Sequence, residues 1–289
     1  YKIDGLVKEG EISIFKKNEL EKINFLFNIT GNNFSFRDIS FGSNNINFLS
    51  ERLNIKKDKK DYLLEGNIRN KNSPLNDQLL KIIKLKYPQF DLINTNFESE
   101  NDFLFNINNK FKVKNLKINS SILINSSQFK KNNLISEKFI QINELIDLKN
   151  HKIKASYANK KLSIEGKGQI KLQNKFEFID YKVINNGSDL NLASNIELSE
   201  LDIKNQNLIK EYLPKTKDIL NLKDHKIRAS YANKKLSIEG KGQIKLQNKF
   251  EFIDYKVINN GSDLNLASNI ELSELDIKNQ NLIKEYLPK

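Results

Sequence analysis

Lys161-Leu-Ser-Ile-Glu-Gly-Lys-Gly-Gln-Ile-Lys-Leu172 puts Leu162, Ile164, Gly166, Gly168, Ile170 and Leu172 on one side and Lys161, Ser163, Glu165, Lys167, Gln169 and Lys171 on the other. A period of two over this length predicts a long, half-buried β-strand. Asp189 to Leu198 repeats the pattern with Leu190, Leu192, Ile196 and Leu198, and Ile153, Ala155 and Tyr157 form a shorter strand. In Phe176 to Asn185 the apolar parity changes between Phe178 and Ile179, which predicts a β-bulge. Ala-Asn-Lys at 158–160, Gln-Asn-Lys at 173–175 and Asn-Gly-Ser at 186–188 are short polar links suited to hairpins. The segment therefore reads as a four-stranded antiparallel meander.

The meander is copied. His151–Lys215 recurs as His225–Lys289, 74 residues on, with Lys154 against Arg228 as the one difference. Self-similarity at a fixed period signals an array. Asn207–Tyr212 carries Leu208, Ile209 and Tyr212 at helical spacing and is stopped by Pro214. Thr216 suits the cap of a second short helix through Leu222, and Ser136–Leu148 precedes the first copy with a similar apolar side. The organisation expected is a diverged β-segment over residues 1–135, one repeat over 136–215 and its copy over 216–289. In the first segment Ile23, Phe25, Phe27 and Ile29 alternate, as do Tyr62, Leu64, Gly66 and Ile68, and Leu116, Ile118, Ile122 and Ile124. One helix is expected there at 74–86, with Ser73 as N-cap, Pro74 at the first position and Pro88 as stop.

The chain begins at Tyr1 and contains no Met, which points to a processed chain or a fragment. Its hydrophobic share of 38% is below the usual ~45–50%, as a single sheet with one wet face would give. No apolar run reaches the ~18 residues of a membrane-spanning helix. With no Cys, disulfides and thiolate chemistry are excluded. The net charge of +12 raises nucleic acid as a partner, but only four arginines are present and the lysines alternate with Asp, Glu and Asn instead of clustering. A solvated basic face is the favoured reading, with attraction to anionic lipid head groups as a further one.

Catalytic chemistry is not legible. His151 and His225 are copies of each other at a strand start and read as exposed turn residues. No nucleophile elbow, zinc-binding His pair or phosphate loop occurs, and no carboxylate pair stands out, so no enzyme activity, cofactor or metal is expected. Gly166, Gly168 and Gly66 lie on apolar faces inside strands, where glycine costs stability. A bend or bulge explains them, as does something outside the sheet, such as an acyl chain, lying against the backbone.

Ile3-Asp-Gly-Leu-Val-Lys-Glu-Gly-Glu-Ile12, Phe34-Ser-Phe-Arg-Asp-Ile-Ser-Phe41, the recurring Leu-Ser-Ile-Glu-Gly-Lys-Gly at 162–168 and the Asn207-Leu-Ile-Lys-Glu-Tyr-Leu-Pro-Lys215 helix-and-proline segment resemble the AsmA-like superfamily of bacterial envelope proteins, in its YhdP and TamB types. The resemblance implies a mainly β fold: an elongated, curled antiparallel sheet of tandem four-stranded meanders with short linking helices and a hydrophobic inner groove. It also implies a periplasmic, cell-envelope location, an inner-membrane anchor outside this stretch, and a non-enzymatic role in phospholipid transport between inner and outer membranes. The candidate groove lining is Leu162, Ile164, Gly166, Gly168, Ile170, Leu172, Leu190, Leu192, Ile196 and Leu198, with the copies Leu236, Ile238, Gly240, Gly242, Ile244, Leu246, Leu264, Leu266, Ile270 and Leu272. Phospholipid acyl chains are the expected partner and no specific nucleic acid is. The alternative is a structural or adhesive β-repeat scaffold whose apolar residues fill an ordinary core.

Overall fold

A computed structural model describes residues 1–14, 18–58, 60–75, 80, 92–130, 142–204, 216–246, 248–261 and 263–271. The chain is mainly β: its described residues form a single antiparallel meander of fifteen strands in which each strand pairs with its neighbours in sequence and the sheet does not close. The strands are β1 Lys2–Ile14, β2 Asn18–Thr30, β3 Asn33–Ser43, β4 Ile46–Asp58, β5 Asp61–Pro74, β6 Leu92–Asn108, β7 Val113–Lys130, β8 Leu145–Ala158, β9 Lys161–Lys171, β10 Phe176–Asn185, β11 Leu190–Lys204, β12 Ile219–Ala232, β13 Lys235–Lys245, β14 Phe250–Asn259 and β15 Leu264–Glu271. Strands β8–β11 and β12–β15 are the two copies of the meander. The chain divides into two compact units, Tyr1–Lys130 with Asp147–Gln169 and Tyr181–Asn191, and Lys131–Ile146 with Ile170–Asp180 and Leu192–Lys289.

Local chemistry sets the turns. Asn159–Lys160, Asn233–Lys234 and Asn44–Asn45 each hold two successive positive φ angles, the pattern that matches the twist of paired strands. Gly187 and Gly261 take φ near 95°, which glycine adopts without a side-chain penalty, and the preceding Asn185 and Asn259 side chains accept the glycine N–H at 2.7 Å.

Bulges are likewise marked by left-handed residues. Asp224 has φ 49°, and Asp224 with His225 opposes the single Gly242 between β12 and β13. Glu9, Lys22, Asp38, Asn94 and Asn115 stand at or beside the register shifts of the first seven strands. A shift frees backbone N–H groups, and polar side chains from the next strand satisfy them. Asn24 Oδ1 accepts the Glu9 N–H at 3.1 Å, and Asn67 Oδ1 accepts that of Glu51 at 2.9 Å.

The bulge expected in Phe176–Asn185 is absent from its copy. The β13–β14 ladder runs from Leu236↔Asn259 to Lys245↔Phe250 without a shift. Phe250 and Phe252 instead sit on the polar face at 37% and 42% exposure, and Glu251 between them is buried. Phe176, Glu177 and Phe178 repeat this arrangement.

The helical expectations need correction wherever they fall on described residues. Ser73 and Pro74 end β5, Leu145–Leu148 open β8, and Ile219–Leu222 open β12. In each case the ladder of a neighbouring strand claims the backbone. Ser73 pairs with Phe97, Leu220 with Ile203 and Leu222 with Leu201. Two apolar residues three apart fit a strand with a phase change as well as they fit a helix, and here pairing decides. Most of the 74–86 helix, the first part of 136–148 and all of 207–212 lie outside the described residues.

Candidate functional site

Side chains facing the same way line up in rows across the strands. In the first compact unit one row runs Gly5, Phe27, Phe36, Leu53, Gly66, Phe103, Ile118, each a direct cross-strand partner of the next from β1 to β7. A second runs Ile3, Ile29, Phe34, Ile55, Leu64, Phe105. At ~4.8 Å per strand spacing the first row extends roughly 29 Å. Apart from Gly66, none of its members is buried, and Ile3 in the second row is 50% exposed. Among the described residues no second layer packs over this face, and its central rings stay half-buried. Phe25 and Phe36 meet edge-on at 5.4 Å, within the range aromatic pairs prefer.

A polar belt flanks these rows. Ser99 Oγ donates to Asn70 Oδ1 at 2.6 Å, Asn101 Nδ2 donates to Ser99 Oγ at 2.9 Å and to the Ile68 carbonyl at 3.1 Å, and Asn70 Nδ2 donates to the Phe97 carbonyl at 3.2 Å. Asn70 is 3% exposed, so its bonds inside the face replace those it would make to water. The apolar track is thus about two side chains wide with a hydrogen-bonded margin.

In the second compact unit comparable rows cross β11–β15: Ser194, Ala229, Ile238, Val257, Leu266, and beside it Ile196, Ile227, Gly240, Tyr255, Ser268. One end of the strands is sealed. Leu198, Leu201, Leu220, Leu222, Ile244 and Leu246 form a cluster at 0–6% exposure. The other end is open, with Leu266 55% exposed.

The expected lining residues divide accordingly. Leu198, Ile244 and Leu246 belong to the sealed cluster, with Leu172 and Ile270 packed against it. Leu162, Ile164, Ile170, Leu192, Leu236 and Ile238 are half-buried, and Leu190 is exposed. Leu264 pairs with Asn259 at the hairpin end. Leu272 lies outside the described residues.

The strand glycines are seats for the sheet's own rings. A Cβ on Gly166 would lie 2.3 Å from Tyr181 Cζ, and one on Gly240 2.2 Å from Tyr255 Cζ. Gly5 and Gly66 face Phe27 and Phe103 in the same way. Gly240 lies in an unbroken ladder, and Gly242 faces the β12 bulge. A cross-strand aromatic lying over glycine restores the contact area that glycine lacks. Neither a bend at each glycine nor an external chain against the backbone is needed.

The histidines are corrected most sharply. His151 and His225 are 3% and 0% exposed, inside β8 and β12, lying over Gly168 and Gly242 and beside the Tyr181 and Tyr255 rings at 6.2 Å and 5.7 Å. The residue after a left-handed Asn150 or Asp224 is turned inward, which a reading by strand ends does not reveal.

No family model, curated protein or solved structure matches the chain. The functional reading therefore rests on the geometry of the two faces.

The opposite face carries the charge. Lys182 pairs with Glu165 at 2.6 Å, Lys226 with Glu197 at 3.1 Å and Lys256 with Glu239 at 2.6 Å, all cross-strand and about half exposed. The lysine partner holds the Glu165 and Glu239 carboxyls below their usual range. Exposed pairs of this kind are screened by water and add little to stability; their main effect is to neutralise the lysines locally. A recess of about 1300 Å³ in the second unit opens on this face between Glu197, Lys226, Arg228, Glu239, Lys241 and Lys256. Its mixed signs suit neither an anion nor a cation. Among the described residues no group of acidic, His or Cys side chains is placed to hold a metal.

Burial pushes the His151 pKa down, against the raising effect of the Gln169 carbonyl 2.9 Å from Nε2. The same balance holds at His225, where the Gln243 carbonyl opposes burial although neither ring nitrogen makes a bond of ordinary geometry. A folded-state pKa below the ordinary 6.5 means the unfolded chain takes up protons first as pH falls. The histidines' contribution is complete above about pH 6.5 and is lost as pH drops toward the folded value. Urea midpoints between about pH 7.5 and about pH 5.5 should fall in the native protein and fall less in His151→Gln/His225→Gln. Equal slopes would remove the histidines from the effect.

Proposed function

We propose that the protein is a non-enzymatic lipid-shielding sheet of the cell envelope, whose apolar face covers phospholipid acyl chains during passage between the inner and outer membranes. The carrying observation is the row from Gly5 to Ile118, apolar or glycine at every strand and, among the described residues, without a second layer over it. Monomeric soluble proteins rarely leave so large an apolar surface without an occupant. An acyl chain laid along the row would gain about 0.8 kcal/mol per buried methylene, with no catalytic group required. The direction of the rows supports a track: they run across the strands, so each added meander lengthens it by ~19 Å. The resemblance to AsmA-like proteins agrees with this reading, and the curl, periplasmic location and membrane anchor that it implies are part of the same proposal.

The test is uptake of a fluorescent phospholipid by delipidated protein. Ile164→Asp/Ile238→Asp together with Phe36→Asp should lower uptake at least ~10-fold, since a buried carboxylate on an acyl track costs more than the ~1.4 kcal/mol that tenfold represents. Undiminished uptake by a folded variant would remove the proposal.

The sealed cluster of Leu198, Leu220 and Leu246 favours a second reading at that end, a filled core giving the repeat its rigidity. A scaffold of this kind binds no lipid, and the same assay separates the two.

A further inference from the structure

We infer that the β6–β7 hairpin, Lys110-Phe-Lys-Val-Lys114, together with the lysines of the neighbouring β4–β5 hairpin, docks the protein onto an anionic bilayer surface, with the Phe111 ring entering the head-group layer. The inference stands whether or not the apolar face carries acyl chains.

The loop is tied down through one residue. Asn108 Oδ1 accepts the Lys110 N–H at 3.0 Å and the Lys112 N–H at 2.9 Å. The Asn108 carbonyl accepts the Phe111 N–H at 2.9 Å, and the Asn108 N–H donates to the Lys112 carbonyl at 3.2 Å. These bonds fix Phe111 at φ 56°, a left-handed angle that a bulky residue rarely takes. Other turns of the same compact unit meet such angles with small or polar residues, Gly31 between β2 and β3, and Asn159 with Lys160 between β8 and β9. Here the position holds an aromatic ring that is 84% exposed, and Val113 beside it is 52% exposed. An Asn or Gly would hold the same turn without strain and without apolar area in water. Nothing inside the fold gains from the ring, so its contact lies outside it.

Strand pairing sets the β4–β5 hairpin alongside. Lys57, Tyr62, Ile107 and Val113 stand in one row, and Lys56, Leu63, Asn106 and Lys114 in the next. Residue 59 apart, both hairpins are described. Lys56, Lys57, Lys60, Lys110, Lys112 and Lys114 are all exposed. Over 56–62 and 106–114 the one carboxylate among the described side chains is Asp61, which Lys114 pairs at 3.2 Å. The charge here is therefore not balanced as it is across β9–β14. A cationic rim around a projecting ring matches an anionic lipid surface. Each lysine held near such a surface strengthens binding roughly fivefold, and aromatic rings settle at the level of the head groups. Nucleic acid fits less well, because phosphate recognition favours the arginine fork and neither hairpin contains Arg.

The chain has no Trp, so Phe111→Trp is a single reporter at the hairpin. The whole chain carrying it would be mixed with vesicles of equal parts phosphatidylglycerol and phosphatidylcholine, and with vesicles of phosphatidylcholine alone. The anionic vesicles should shift the Trp emission to the blue, and bromine on their acyl chains should quench it. Phosphatidylcholine alone should do neither, and added salt should reverse the shift. In sedimentation with the anionic vesicles, Lys110→Gln/Lys112→Gln and, separately, Phe111→Asp should each bind at least ~10-fold less than the native chain. These variants change exposed side chains and leave the backbone bonds to Asn108 in place, so the fold is retained. Phe36→Asp, on the apolar face, should bind vesicles as the native chain does, which keeps this result apart from lipid uptake. An unshifted Trp, equal binding to the two kinds of vesicle, or native binding by the hairpin variants would each overturn the inference.

Discussion

Replacing Gly242 by Ala is expected to destabilise the protein by about 2–3 kcal/mol, while Gly240→Ala two residues away should cost less than about 1 kcal/mol. Both glycines lie on the apolar face of β13, both are buried, and in both the added Cβ collides with a ring. The atom behind the collision differs. At Gly240 the Cβ meets Tyr255 Cζ and its hydroxyl at 2.2 and 2.3 Å, the far end of a side chain that can swing aside. At Gly242 it also meets His225 Cα at 2.7 Å, which belongs to the bulged backbone of β12 and cannot move without breaking the ladder. The usual gain from giving a strand glycine a side chain, about 0.5–1 kcal/mol, nearly offsets the first clash but not the second. Gly168, with His151 Cα at 2.8 Å, should follow Gly242, and Gly166 should follow Gly240. Urea midpoints of the four single variants test the ordering; equal losses would show that the rings alone govern these sites.

Glu177→Ala should cost about 3 kcal/mol, more than a polar-to-alanine change on the charged face. Glu177 is 6% exposed, and its carboxylate accepts the Ser199 N–H at 2.8 Å, the Ser199 hydroxyl at 2.7 Å and the Glu200 N–H at 3.4 Å. These residues stand where β11 changes phase, Leu198 and Leu201 both entering the sealed cluster. Gln173 acts one step further along, bonding both the N–H and the carbonyl of Asp202 at 3.0 and 2.7 Å. Without the carboxylate two amides are left partly buried and unpaired. Hydrogen exchange at Ser199 and Glu200 should accelerate strongly in Glu177→Ala and only modestly in Glu177→Gln, which keeps an acceptor. Unchanged protection in the alanine variant would mean that water or a neighbour replaces the carboxylate.

These two cases show what the sequence makes legible. Alternation in Lys161–Leu172 and Ile23–Ile29 identifies strands, the short polar links identify hairpins, and the period of 74 identifies the array, because each depends on local chemistry. The phase of a strand is a different matter. In Phe176–Phe178 hydrophobicity puts two aromatic residues on the apolar side, whereas pairing keeps the parity of Ile179, Tyr181 and Val183 and places Glu177 inward to serve β11. Hydrophobicity cannot reveal that a carboxylate is needed by a backbone on another strand. The bulges do leave a trace: Asn150, Asp224 and Asp38 are residue types that tolerate left-handed backbone, each set where apolar parity reverses. The helical expectations at Leu145–Leu148 and Thr216–Leu222 arose from such reversals. The glycine seats were visible only as a cost, since the ring that covers each glycine comes from a neighbouring strand.

The central claim is that acyl chains occupy one face of the sheet along rows crossing the strands. Photolysis of the protein with a phospholipid bearing a diazirine in its acyl chain, followed by peptide mapping of the adducts, tests it directly. The account predicts labels on Phe36, Phe103, Ile227 and Ile238, with Glu239, Lys241 and Lys256 unlabelled. Labels spread equally over both faces, or confined to the charged one, would contradict it.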